Sequence, residues 1–159
     1  MKWINIALAI VLLFSIPAPQ AFAKEYHWGF TKSKNGNPPD VGAEFEGLLK
    51  NYGALYRGNP EKKVIYLTFD NGFEAGYTEK ILDTLKKENV KATFFLTGHY
   101  LTSASDLVKR MVKDGHTIGN HSDKHPNMAR LSREGMLREW QNFDKKLKEI
   151  TGINRTYYV

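Results

Sequence analysis

The sequence has no cysteine among its 159 residues, so no disulfide supports it and packing or metal must hold it together. It also has no apolar run long enough for a comfortable membrane span. The longest, residues 6–16, falls well short of the roughly 20 residues a spanning helix needs. No block of Lys and Arg occurs, and no basic stripe interleaved with aromatics. The 23 Lys+Arg and 17 Asp+Glu are mixed along the chain, and the net charge of +6 does not mark a nucleic-acid partner. The excess suits loose attraction to an anionic matrix such as a cell-wall polymer; ordinary solubility is the plainer reading. The length allows one domain with a real core and excludes two large ones.

What is present begins with an export signal. Lys2 supplies the positive end, residues 6–16 the apolar run, residues 17–20 the break, and Ala21-Phe22-Ala23 the small-x-small cleavage pattern. Residues 1–23 are therefore expected to be a signal peptide, with an uncleaved anchor as the alternative. The mature protein would start at Lys24, secreted or in the cell envelope, with no transmembrane helix. Residues 24–60 form an extension of different character. Tyr26, Trp28 and Phe30 alternate, and Asn35-Gly36-Asn37-Pro38-Pro39 reads as a loop. Phe45, Leu48, Leu49 and Tyr52 make one helical stripe closed by Gly53, expected to be core, with a substrate platform as the sharper alternative.

From Val64 the pattern becomes strand–helix–strand. Residues 64–69 are a nearly continuous apolar and β-branched run, predicting a strand buried on both faces that stops at Asp70-Asn71-Gly72. Tyr77, Ile81, Leu82 and Leu85 share a helix face ended by Asn89, and residues 92–96 are a second strand closed by Thr97-Gly98. Ser105 is placed to cap a helix carrying Leu107, Val108, Met111 and Val112, stopped by Gly115. Residues 117–119 are a short third strand. Ser132 then caps a longer helix with Met136, Trp140, Phe143, Leu147 and Ile150 on one side, ended by Gly152. Glu134/Arg138 and Asp144/Lys148 are expected as ion pairs on its wet side. Residues 156–159 begin a fourth strand. The expected fold is α/β, with parallel strands and right-handed crossovers.

Asp70, Asn71, His121 and His125 all fall just past strand ends, where a parallel sheet gathers reactive groups on one edge. Two imidazoles and an oxygen donor commonly face Zn²⁺ or a similar ion. Pro126 keeps His125 out of a helix, and position 122 is serine rather than glutamate, so the His-x-x-x-His spacing is a loop clamp and not a helical zinc-protease motif. The bland alternatives are an Asn-Gly turn and two incidental histidines. His99 follows a strand and either faces this edge or serves a turn. His116 precedes the third strand and reads as structural.

Thr68-Phe69-Asp70-Asn71-Gly72 and His121-Ser122-Asp123-Lys124-His125-Pro126 resemble the first two motifs of the NodB-type polysaccharide deacetylases, carbohydrate esterase family 4. Ala92-Thr93-Phe94-Phe95-Leu96 and Gly115-His116-Thr117-Ile118-Gly119-Asn120 also match runs of that family, and the resemblance covers roughly residues 61–159. The Asp-Asn-Gly variant, Thr97-Gly98-His99-Tyr100 and Trp28-Gly29-Phe30 look like its δ-lactam-biosynthetic, muramic acid branch. The resemblance implies a distorted (β/α) barrel and removal of N-acetyl groups from a cell-wall glycan, N-acetylmuramic acid residues of peptidoglycan in particular. It implies Asp70 as general base, and His121, His125 and Asn71 around a divalent metal, zinc first among candidates.

Two departures follow from the resemblance. Asn71 stands where the family usually has an aspartate ligand, so a metal would be held more weakly or not at all. The family's later motifs, an Arg-Pro segment and a histidine general acid, do not occur before Val159. The expectation is thus the N-terminal part of the barrel: about three βα units and a fourth strand, with an open edge, and alone neither a stable domain nor an active deacetylase. A non-catalytic wall-glycan-binding or vestigial protein is the competing expectation.

Overall fold

The computed structural model describes residues 26, 27, 29–154 and 156–159. The expected signal peptide, Trp28 and Arg155 lie outside the described residues. Four short strands, β1 (Thr68–Asn71), β2 (Thr93–Leu96), β3 (Thr117–Asn120) and β4 (Tyr157–Tyr158), form one parallel sheet in sequence order. Before it stands α1 (Ala43–Asn51). The crossovers hold α2 (Thr78–Lys87), the pair α3 (Gly98–Ser103) and α4 (Ser105–Lys113), and the long α5 (Arg133–Thr151). The four strands and their crossovers follow the expected α/β order, with α3 as an additional helix before α4.

The side-chain alternation of a strand decides what each face does. In the parallel register Phe69, Phe94 and Ile118 are partners, as are Asn71, Leu96 and Asn120 one step further on. This face receives the helices. Phe94 and Leu96 are fully buried with Leu82 of α2, Leu101 of α3, Val108 and Met111 of α4, and Phe143 and Leu147 of α5. Phe69 stacks on Phe94 at 4.9 Å. Each such side chain contributes about 1.5–3 kcal/mol when removed from water. Thr68, Asp70, Thr93, Phe95 and Thr117 lie on the other face, which no helix of the described residues covers.

That asymmetry corrects the reading of residues 64–69 as a strand buried on both faces. Strand β1 starts only at Thr68, and Val64, Ile65, Tyr66 and Leu67 are 56, 86, 70 and 41% exposed. An apolar β-branched run is compatible with any extended segment, and here contact with β2 begins only at Leu67, whose carbonyl accepts from Thr93 N. The α1 stripe is likewise not core: no residue of α1 is buried, and Tyr52 is exposed. Ser105 does not cap α4, because α3 runs directly into it and Ala104 holds the cap position. Ser132 does cap α5, accepting from Gly135 N, and Gly152 closes it in the left-handed conformation. Asp144 turns toward the sheet rather than to Lys148, accepting from Asn120 Nδ2, Thr156 Oγ1 and Tyr158 Oη.

Candidate active site

The C-terminal ends of β1, β2 and β3 are tied together by short polar contacts. At the end of β1, Asn71 O accepts from Thr97 N, and Gly72 O accepts from Thr97 Oγ1. Thr97 also caps α3 by accepting from Tyr100 N. Gly98 N donates to both Ser122 O and Asp123 O at 3.1 Å. The approach is so close that a Cβ on Gly98 would sit 1.9 Å from Asp123 Oδ1 and 2.8 Å from its carbonyl oxygen. Only glycine fits between strand β2 and this loop.

The loop after β3 is bent tightly. Asn120, fully buried, donates from Nδ2 to Trp140 O and Asp144 Oδ1, while its Oδ1 accepts from Ser122 N. Ser122 and His125 both take left-handed backbone angles, at φ 67 and 56, which side chains of their size rarely adopt. Surrounding bonds hold them there: His125 N donates to Ser122 Oγ, Lys124 N to Glu139 Oε2, and Lys146 Nζ reaches the buried Asp123 at 2.6 Å. The loop is non-helical, as Pro126 required, and brings the His121 and His125 rings to 4.6 Å between centroids.

Asp70, Gly72, Thr97, His99, His121, Asp123, Lys124 and His125 line one cleft of about 430 Å³. Three of the four expected site residues, Asp70, His121 and His125, therefore share it. Burial lowers the His121 pKa and the neighbouring His125 adds to this, while the Asp70 charge works the other way. Asn71 is not among the lining residues. Strand alternation sends it to the helix-packed face, where its Oδ1 is buried without a hydrogen-bond partner. Among the described residues no group of three His, Cys, Asp or Glu side chains is arranged to hold a metal ion.

Of the two roles open to His99, facing the sheet edge is the observed one, while Thr97 and Lys124 are lining residues that the sequence pattern does not single out. Thr97-Gly98 had read as the stop of a strand; it also starts a six-residue helix that carries His99 to the cleft. Threonine as a preferred N-cap residue was the available signal, opposed by the poor helix propensity of Gly98. His99 lies parallel to the exposed Phe73 ring at 6.3 Å. His116 is structural: buried at the opposite end of β3, it accepts from Ala92 N through Nδ1 and meets Phe94 edge-on.

The parallel sheet thus places a carboxylate near the end of β1 beside two clamped imidazoles just past the end of β3. The chain belongs to the polysaccharide deacetylase family, whose model matches residues 57–159. The sequence is 52% identical to an uncharacterized 30.6 kDa protein of Geobacillus stearothermophilus and 41% identical to PdaA of Bacillus subtilis, a peptidoglycan-N-acetylmuramic acid deacetylase. Each alignment covers 100% of this chain and 62% of the relative, so the chain spans about three fifths of their length. The solved structure of Bacillus subtilis PdaA, a family 4 carbohydrate esterase, matches with a TM-score of 0.80 and 45% identity, over 82% of this chain and 56% of that one.

Proposed function

We propose that the protein is an extracytoplasmic hydrolase that removes N-acetyl groups from peptidoglycan, acting on N-acetylmuramic acid residues after cleavage of a signal peptide at residues 1–23. The observation that carries this reading is the convergence of Asp70, His121 and His125 on one cleft at the C-terminal sheet edge. The identity to a muramic acid deacetylase over the whole chain supports the choice of sugar. Among the described residues no helix is long and apolar enough to cross a membrane.

Asp70 is exposed at the cleft, so water reaches its carboxylate directly. In the proposed reaction it accepts the proton of the water that attacks the acetamide carbon. His121 and His125 would hold a divalent ion, zinc in the first instance. Paired neutral imidazoles suit such an ion, and burial favours the neutral form of His121. The third protein donor would be the Asn71 amide oxygen, which has no partner to give up but must turn across the strand end to reach the cleft. A bound ion supplies polarisation of the acetamide carbonyl and stabilises its developing negative charge. Lys124 and His99 form walls against which the glycan would lie.

The test is incubation of the full-length protein with purified peptidoglycan, followed by mass analysis of the released muropeptides. Loss of acetyl from muramic acid supports the reading. Loss from glucosamine alone would correct the sugar, and intact acetyl groups with retained wall binding would favour the non-catalytic alternative.

A further inference from the structure

Outside the cleft, a hydrogen-bonded polar cluster joins half-buried Glu74 to buried Thr78 and Tyr100. Glu74 lies four residues past Asp70, in the connection from β1 to α2. Its Oε1 accepts from Gly76 N at 2.6 Å and Thr78 N at 3.4 Å, capping α2, which has no side-chain cap of its own. Its Oε2 accepts from the Tyr100 hydroxyl at 2.6 Å, and Thr78 Oγ1 stands 2.9 Å from that hydroxyl. Tyr100 is fully buried and Thr78 nearly so. Burial alone would raise the Glu74 pKa, but the bonds from Thr78, Tyr100 and the Gly76 amide hold it down to about 2. The carboxylate is therefore charged throughout the physiological range, and its bond to the phenol is charge-assisted.

Tyr100 belongs to α3, the helix that carries His99 to the cleft. The start of α3 is fastened to the histidine loop by Gly98 N, and Tyr100 fastens the same helix to the segment following Asp70. Six residues are thus keyed to both halves of the cleft. We propose that Glu74 and Tyr100 are positioning residues: their hydrogen bond sets where α3 and His99 stand relative to Asp70, and so sets the geometry of the reacting centre. This rests on the deacetylase reading for its kinetic consequence, though not for its structural one.

The experiment uses the full-length protein with Tyr100→Phe, which keeps the ring in the core and removes only the hydroxyl. Positioning predicts that kcat falls about 10–100-fold as Asp70 and the glycan lose alignment, with a rise in KM from the displaced His99 wall. It predicts a shift of the His99 imidazole resonances, with those of the distant His116 unmoved. Glu74→Gln, which still accepts from the phenol, should recover part of kcat relative to Glu74→Ala. The Tyr100→Phe/Glu74→Gln double variant should be no slower than Tyr100→Phe alone. Val108→Ala, a core cavity in α4, should lower the urea midpoint without changing kcat. A Tyr100→Phe protein that loses stability but keeps wild-type kcat and an unshifted His99 overturns the proposal. If the wild-type protein releases no acetate, the deacetylase reading fails instead, and the His99 shift alone decides the positioning claim.

Discussion

Replacing Gly98 by alanine tests how the cleft is assembled. The new Cβ would meet Asp123 Oδ1 at 1.9 Å, its carbonyl oxygen at 2.8 Å and its Cγ at 2.9 Å. A carboxylate tip could swing aside, but the carbonyl is backbone, so the histidine loop itself must move. Moving it stretches the two bonds from Gly98 N and pulls Asp123 off Lys146 Nζ. Overpacking of this kind costs about 1–3 kcal/mol. Separating a buried carboxylate from its ammonium partner costs about 3–5 kcal/mol when complete. The loop can relax and Lys146 is more than a third exposed, so about 2–4 kcal/mol in total is expected from urea unfolding. A displacement near 1 Å between Asp70 and the histidines would lower kcat about 100-fold. A Gly98→Ala protein within about 0.5 kcal/mol of wild type and within twofold in rate would refute the tight-approach argument.

The Glu74 carboxyl sets an acid limit. It is held at about 2 against an ordinary 4.5, so its contribution is present above pH 4.5 and is lost as pH falls from there toward 2. At full strength this is about 3 kcal/mol, which solvent screening of a half-buried group reduces to roughly 1–2 kcal/mol. Stability against pH should therefore show a step in that window that Glu74→Gln removes; an unchanged step would assign it elsewhere. For the proposed metal, Asn71→Asp should tighten Zn²⁺ binding in calorimetric titration, while His121→Ala and His125→Ala each abolish it. Equal affinities for wild type and Asn71→Asp would mean that position 71 does not touch the ion.

Much of the sheet was legible because the residues of β2 and β3 are buried on the helix face and bounded by Gly or Thr-Gly signals. The α5 helix was legible at both ends, through the Ser132 hydroxyl and the left-handed Gly152. Strand β1 was less so, since periodicity cannot tell a paired strand from an exposed extended approach, and residues 64–66 are the latter. Helix α3 was hidden because a strand stop and a helix cap use the same residue, Thr97. In the site, motif spacing pointed to Asp70, His121 and His125. The sequence could not reveal that Asn71 sits on the other strand face, nor that Asp144 serves Asn120 beneath the histidine loop. Those facts depend on register and on contacts across 20 or more residues.

The most direct measurement is acetate release from muramyl glycan by the full-length protein, wild type against Asp70→Asn. Loss of a positioned general base should lower the rate about 10²–10⁴-fold, with glycan binding nearly unchanged because Asp70 is exposed and carries no packing. Equal rates in the two proteins would remove Asp70 from the mechanism and contradict the assignment of the cleft.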